Sequence, residues 1–181
     1  MKKNLLWVMA AILTCSLMTA CSSSDDNDNK ETNIEVLYSA NVSDDVLKVA
    51  DLSVIYLDQA GNKQQEALTS KEWKKSISSK TVPMTVGICM KATPKSSIAE
   101  GEYKLEVVTS SAIAGIMSSG KEIGKLVGSN SSATRTADKV LEFCSGLSGA
   151  AAKIDADGNV TDFDYKFYMK SRWLGKSSAG F

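Results

Sequence analysis

The chain of 181 residues contains no histidine. That absence removes the usual general base near neutral pH, the Ser-His and Cys-His nucleophile pairs, and most catalytic zinc sites. Charge of one sign is also lacking, with 21 basic and 21 acidic residues over the whole chain. A balance of that kind gives no electrostatic reason to seek nucleic acid or an anionic membrane surface. Proline is confined to Pro83 and Pro94, and no second shift in composition marks a further domain boundary. No long apolar run is present. The stretch from Leu5 to Met18 is broken by Thr14, Cys15 and Ser16, short of the roughly 20 residues that a membrane-spanning helix needs.

What is present begins with that short run. Lys2 and Lys3 precede it, and Leu17-Met18-Thr19-Ala20-Cys21 follows as a small-residue cleavage site. A basic start, an apolar core and small residues before the cut mark a secretory signal. An ordinary signal peptide would leave Cys21 incidental, yet the cysteine stands directly after Thr19-Ala20. Met18-Thr19-Ala20-Cys21 resembles the box of bacterial lipoproteins, with Met where Leu is usual. The resemblance implies diacylglycerol on the Cys21 sulfur, removal of residues 1–20, and often a further acyl chain such as palmitate on the new amino group. Two or more chains make membrane anchoring effectively stable, so the membrane is a partner through Cys21 alone.

Ser22 to Glu31 has no apolar residue and carries four acids against one lysine. It cannot bury enough surface to offset its ordering entropy and reads as a disordered tether. It resembles the acidic segment after the cysteine in Bacteroidota-type lipoproteins, which implies an address on the outer face of the outer membrane. A plain solubilising spacer is the alternative. Beyond Asn33 the remainder holds eighteen bases and seventeen acids and has the length of one ordinary domain with a real core.

Strand signals dominate that domain. Ile34, Val36, Tyr38, Ala40 and Val42 alternate with Glu35, Leu37, Ser39 and Asn41, and Leu52, Val54 and Tyr56 form a second run. A turn or single helical turn is expected at Ser43-Asp44-Asp45, and a turn with positive φ at Gly61 within Asp58–Asn62. Lys63 to Ser76 reads as one partly exposed strand. Val82, Met84, Val86, Ile88 and Met90 make the cleanest stripe, with Pro83 at the start of that strand. Tyr103 to Thr109 alternates again, and Ser118-Ser119-Gly120-Lys121 reads as a hairpin turn leading to Ile123–Val127. Thr136 to Leu147 changes to a helical period, with Val140, Phe143, Cys144 and Leu147 on one face. Asp155–Asn159 reads as a turn, and Phe163, Tyr165, Phe167 and Met169 as the apolar face of a final strand.

These signals predict a mostly β fold, an immunoglobulin-like β-sandwich with one short amphipathic helix. The expected divisions are a signal peptide over 1–20, a lipidated cysteine and tether over 21–33, the sandwich over 34–175, and a flexible tail over 176–181. The stretch from Asn41 to Pro94 resembles small lipoproteins of gut-type Bacteroidota, a resemblance that carries no catalytic motif and implies no activity.

Motifs that suggest chemistry each have a plainer reading. Cys89 and Cys144 are the two cysteines of the mature domain; an oxidising envelope permits a disulfide, but their opposite settings favour two separate thiols. Asp155, Asp157, Asn159, Asp162 and Asp164 form the densest group of oxygen ligands. A helix-loop-helix calcium loop would put its first ligand at Lys153, so a turn explains them better than a weak metal site. Ser118-x-x-Lys121 matches a serine–lysine acyltransferase motif without its companions. Gly146-x-Ser148-x-Ala150 nearly matches a nucleophile elbow, and with no histidine its triad cannot be completed. Lys71, Lys74, Lys75 and Lys80 read as a charged strand edge. Trp73 reads as core, whereas Tyr168 and Trp173 are the candidate contacts for a glycan or protein ligand. The sequence therefore predicts no catalytic residue, no metal and no cofactor. It points to a non-enzymatic surface lipoprotein, or alternatively to a structural envelope or fimbrial-type subunit assembling by strand addition.

Overall fold

The computed structural model describes residues 31–163. Along them run β1 (Asn33–Val42), α1 (Asp44–Val49), β2 (Ala50–Leu57), β3 (Lys63–Leu68), β4 (Glu72–Ser79) and β5 (Met84–Pro94). Then follow β6 (Glu102–Ile116), β7 (Glu122–Thr136), a 3-10 turn (Ala137–Lys139), α2 (Val140–Ser145), β8 (Gly149–Ile154) and β9 (Val160–Phe163). Two antiparallel sheets, β4-β1-β6-β7 and β3-β2-β5-β8-β9, make a β-sandwich.

Alternation decides which faces meet. Ile34, Val36, Tyr38 and Ala40 of β1, Val54 and Tyr56 of β2, Met84, Val86 and Ile88 of β5, and Leu105, Val107 and Ile113 of β6 fill one continuous core. Burying each aliphatic side chain of this size stabilises the fold by roughly 1.5–3 kcal/mol. α1 carries the chain from one sheet to the other. Val46 and Val49, three residues apart, point inward, while the Ser43 hydroxyl accepts from Glu106 N–H and donates to the Lys104 carbonyl. α2 closes the β7–β8 crossing with Val140, Phe143 and Cys144.

Several expectations change. The helix expected over Thr136–Leu147 is a 3-10 turn followed by six helical residues, and of the turn or single helical turn expected at Ser43-Asp44-Asp45 the helical alternative holds, extended as α1 to Val49. Two buried positions over six residues are too few to show a period in the sequence. The single strand expected over Lys63–Ser76 is two strands in different sheets, folded back between Leu68 and Glu72. The central hairpin is longer than its apolar stripe, because β6 and β7 pair from Ile116–Glu122 out to Glu102–Thr136. Pro83 lies just before β5 rather than inside it. The final strand is described as far as Phe163, so Tyr165, Phe167 and Met169 lie outside the described residues.

The turns share one chemistry. Asp58-Gln59-Ala60-Gly61-Asn62 and Asp155-Ala156-Asp157-Gly158-Asn159 carry the same Asp-x-x-Gly-Asn pattern, with Gly61 at φ 75° and Gly158 at φ 73°. In each the aspartate accepts from the N–H groups two and four residues on, and the glycine takes the left-handed geometry at no steric cost.

One side chain pins the two sheets together. β2 and β5 pair as far as Tyr56 and Ile88, and the next pair in that register would be Leu57 and Gly87. There the Tyr38 hydroxyl of the facing sheet intervenes. It donates to the Leu57 carbonyl at 2.9 Å and accepts from Gly87 N–H at 3.4 Å. Burial pushes the Tyr38 phenol well above its ordinary pKa, offset only in part by the Gly87 N–H. Tyr38→Phe keeps the ring but strips both backbone groups of this partner, and a buried group so orphaned costs about 1–3 kcal/mol. Urea unfolding should show a loss of about 2 kcal/mol; a loss under about 0.5 kcal/mol would mean that the two strands close the gap directly.

Candidate functional site

Cys21, Tyr168 and Trp173, the residues named from the sequence for anchoring and recognition, lie outside the described residues, as does Asp164. The remaining candidates can be placed. Asp155 spends its carboxylate inside its own turn, on the N–H groups of Asp157 and Asn159 and the Asn159 side-chain amide. The Asn159 donors hold it below the usual carboxylate range. Asp162 pairs with Lys125 at 3.3 Å. No group of three or more Cys, Asp or Glu is arranged to hold a metal among the described residues.

Lys121 does not activate Ser118. Its ammonium donates to the Asp157 carbonyl at 2.9 Å and the Asn159 side chain at 2.7 Å, lacing the β6–β7 turn to the β8–β9 turn. The Ser148 hydroxyl meets that of Ser129 and has no base beside it. Cys89 and Cys144 are not joined by a disulfide. Cys89 sits on the outer face of its sheet with Leu57, Ala151 and Phe163. Cys144 faces inward from α2, where burial pushes its thiol pKa up. Among the described residues no helix is long and apolar enough to cross a membrane, which says nothing of strands.

The most developed polar constellation was not foreseen. It lies where the edge strands β3 and β4 of the two sheets meet. Glu66 on β3 accepts from the Tyr56 hydroxyl at 2.7 Å, from Trp73 Nε1 at 3.0 Å and from Lys75 Nζ at 3.0 Å. The Tyr56 and Trp73 rings stand 5.3 Å apart, and the Lys75 ammonium lies 5.9 Å over the Tyr56 ring. Trp73 is half-buried against the core, as the sequence suggests. The signal for Glu66 was its parity, which it shares with Leu68, but that parity was hidden while Lys63–Ser76 read as one strand.

Chemically the seam is a clamp. The Tyr56 hydroxyl first, then Lys75 and Trp73, hold the Glu66 carboxyl below its ordinary range, and a carboxylate committed to three donors is a poor proton acceptor. At the opposite edge of the four-stranded sheet, Glu100, Glu102 and Asp138 line a shallow open cleft of about 460 Å³. Thr136 holds the Asp138 carboxylate there at 2.6 Å.

Because Glu66 has its pKa lowered on folding, its contribution is present above the unfolded value and is lost as pH falls through the folded one. Glu66 is partly exposed, so the effect is screened and small. Urea midpoints across the acidic range should fall for the parent, while Glu66→Gln stays flatter over the same range. Parallel curves would remove the clamp from acid stability.

No family model matches the chain, and no curated protein matches it. Among solved structures, the chain is similar to an alpha-toxin of Clostridium perfringens from avian strain SWCP, at 15% identity and a TM-score of 0.20. The match covers 62% of this chain and 33% of the toxin, so this chain spans about a third of the toxin's length. Similarity at that level carries no argument about fold or activity.

Proposed function

We propose that the protein is a lipid-anchored, non-enzymatic lipoprotein of the outer membrane whose β-sandwich faces outward and binds a glycan or a protein partner. The observation that carries this is the order of parts: Met18-Thr19-Ala20-Cys21, then a polar acidic segment, then a sandwich whose first strand starts at Asn33. Such an order holds one folded surface at a distance from a membrane. The immunoglobulin-like description belongs to this proposal, as an architecture rather than a strand order. Tyr168 and Trp173 are the proposed contacts, aromatic side chains suited to a flat sugar ring or a partner pocket.

Intact cells carrying a C-terminally tagged copy should lose the tag to added protease while the membrane stays closed, and Cys21→Ala should leave the membrane fraction. A protected tag would place the domain inward and sink the outward-facing reading. Once a glycan or protein ligand is identified on an array, replacing both Tyr168 and Trp173 by Ala should weaken its binding at least tenfold, as loss of aromatic hot spots does. Unchanged binding would remove them.

A second reading, a structural envelope or fimbrial-type subunit assembling by strand addition, is favoured by one observation. β7 is a fifteen-residue strand at the edge of its sheet.

A further inference from the structure

Four strands stand at sheet edges among the described residues, and they differ in what they offer a newcomer. β4 carries Lys74 and Lys75, with Lys71 and Lys80 at its flanks. β3 has six residues including Lys63 and the inward-pointing Glu66, and β9 is described over four residues with Asp162 among them. Charged side chains of this kind discourage edge pairing. β7 has no such protection along its middle. Leu126-Val127-Gly128-Ser129-Asn130-Ser131-Ser132-Ala133-Thr134 is without charge or proline.

The hairpin turn fixes which backbone groups of β7 face outward. Met117 N–H donates to the Lys121 carbonyl, and hydrogen-bonded pairs then recur at every second residue of an antiparallel ladder. Odd-numbered residues of β7 therefore spend their N–H and C=O on β6. Even-numbered residues, Gly128, Asn130, Ser132, Thr134 and Thr136, aim theirs away from the sheet. Two observations agree with this parity. Arg135 Nη1 reaches the Thr134 carbonyl at 3.1 Å from outside the ladder, and on β6 the even-numbered Lys104 and Glu106 N–H groups bond Asp45 and Ser43 rather than β7. Side chains follow the same rule: Gly128, Asn130, Ser132, Thr134 and Thr136 are exposed.

We infer that β7 pairs antiparallel with β7 of a second copy of this chain about a twofold axis at Ser132, joining two four-stranded sheets into one of eight. A second copy fits because an uncharged edge brings no like charges against itself, which the lysine-bearing β4 edge would do. Charge also bears on the register, and an axis at Ser132 lies within the uncharged stretch and keeps Gly128 to Thr136 paired. An axis at Asn130 would set Lys125 opposite Arg135, and like charges directly opposite destabilise a pair. An axis at Ser132 sets Arg135 opposite Ser129, Asn130 opposite Thr134 and Gly128 opposite Thr136. The exposed Arg135–Thr134 bond is released on pairing. The inference uses the same edge as the second reading but requires a closed dimer, not an open polymer, and is independent of Cys21.

The test uses the full chain in native membranes and in detergent, with an added oxidant and non-reducing electrophoresis. Opposed residues of a hydrogen-bonded antiparallel pair have Cα atoms about 5.5 Å apart, within disulfide reach. Ser132→Cys should therefore give a dimer that the parent and a Ser78→Cys copy on the β4 edge do not give. Ser132→Cys combined with Asn130→Lys and Thr134→Lys should lower the dimer fraction roughly tenfold, and replacing that Thr134→Lys by Thr134→Glu should restore it. Separately, Ser132→Pro removes only an outward N–H and should abolish dimers of the parent, read by light scattering, with thermal unfolding nearly unchanged. Exclusively monomeric, folded Ser132→Cys protein would overturn the inference and remove β7 from the second reading. Species of the parent larger than a dimer by light scattering would overturn the closed pair while supporting open strand addition. A cross-linked product of another mass would overturn the assignment to a second copy.

Discussion

The Tyr38 hydroxyl sits where two constraints meet. A sandwich needs its sheets close enough to exclude water, and β2 and β5 must diverge beyond Tyr56 and Ile88. Divergence strips the Leu57 carbonyl and the Gly87 N–H of their ladder partners in a buried place, where unpaired backbone groups are costly. A phenol from the opposite sheet satisfies both. Core packing could be met by many side chains of similar volume, but this position needs a ring with a hydroxyl at its far end. The aromatic series then runs outward, from Tyr38 to Tyr56 at 5.5 Å and from Tyr56 to Trp73 at 5.3 Å. It ends at the Glu66 clamp, so the Tyr38 and Glu66 links between the sheets share one row of rings.

The same clamp accounts for how one side of the sandwich is closed. β3 and β4 belong to different sheets, yet the Leu68–Glu72 connection holds them adjacent. An inward-pointing carboxylate there would be a liability without partners. With Tyr56, Trp73 and Lys75 as donors it joins the edges and keeps them from accepting further strands. β7, on the far side, is linked to β9 by the exposed Lys125–Asp162 pair alone among the ion pairs described, near its start, and the uncharged middle of β7 separates the protected flank from the one open to pairing.

Much of the fold was legible because period-two alternation is unambiguous in β1 and β5, where five successive inward positions are apolar. The turns were legible for a different reason: Asp-x-x-Gly-Asn names both a carboxylate that bonds forward and a residue free to take positive φ. The sequence was silent where burial and polarity diverge. Thr109 and Ser111 point into the core from β6 with hydroxyls that find no partner among the described residues, so the stripe of that strand looks interrupted. The far half of β7 is Ser, Asn, Ala, Thr and one Arg, with no apolar stripe to announce its pairing with β6. The Glu66 clamp depends on register between strands distant from one another, which spacing along a single chain does not reveal. Tyr168 and Trp173, named from the sequence, lie beyond Phe163, the last residue described.

The Thr32 hydroxyl accepts from Ser118 N–H, a small contact that gives the sandwich a polarity. It places the point where the chain joins the fold beside the β6–β7 turn, which Lys121 ties to the β8–β9 turn. From there β1 runs its ten residues, roughly 33 Å, toward α1. The Glu100–Asp138 cleft and the Asn130–Thr136 half of β7 lie toward that far end. A molecule held at Cys21 would thus turn its laced turns toward the lipid and its acidic cleft and unguarded edge away from it. Under that proposal, the point of attachment would favour one end of the sandwich nearest the bilayer, beyond limiting its distance.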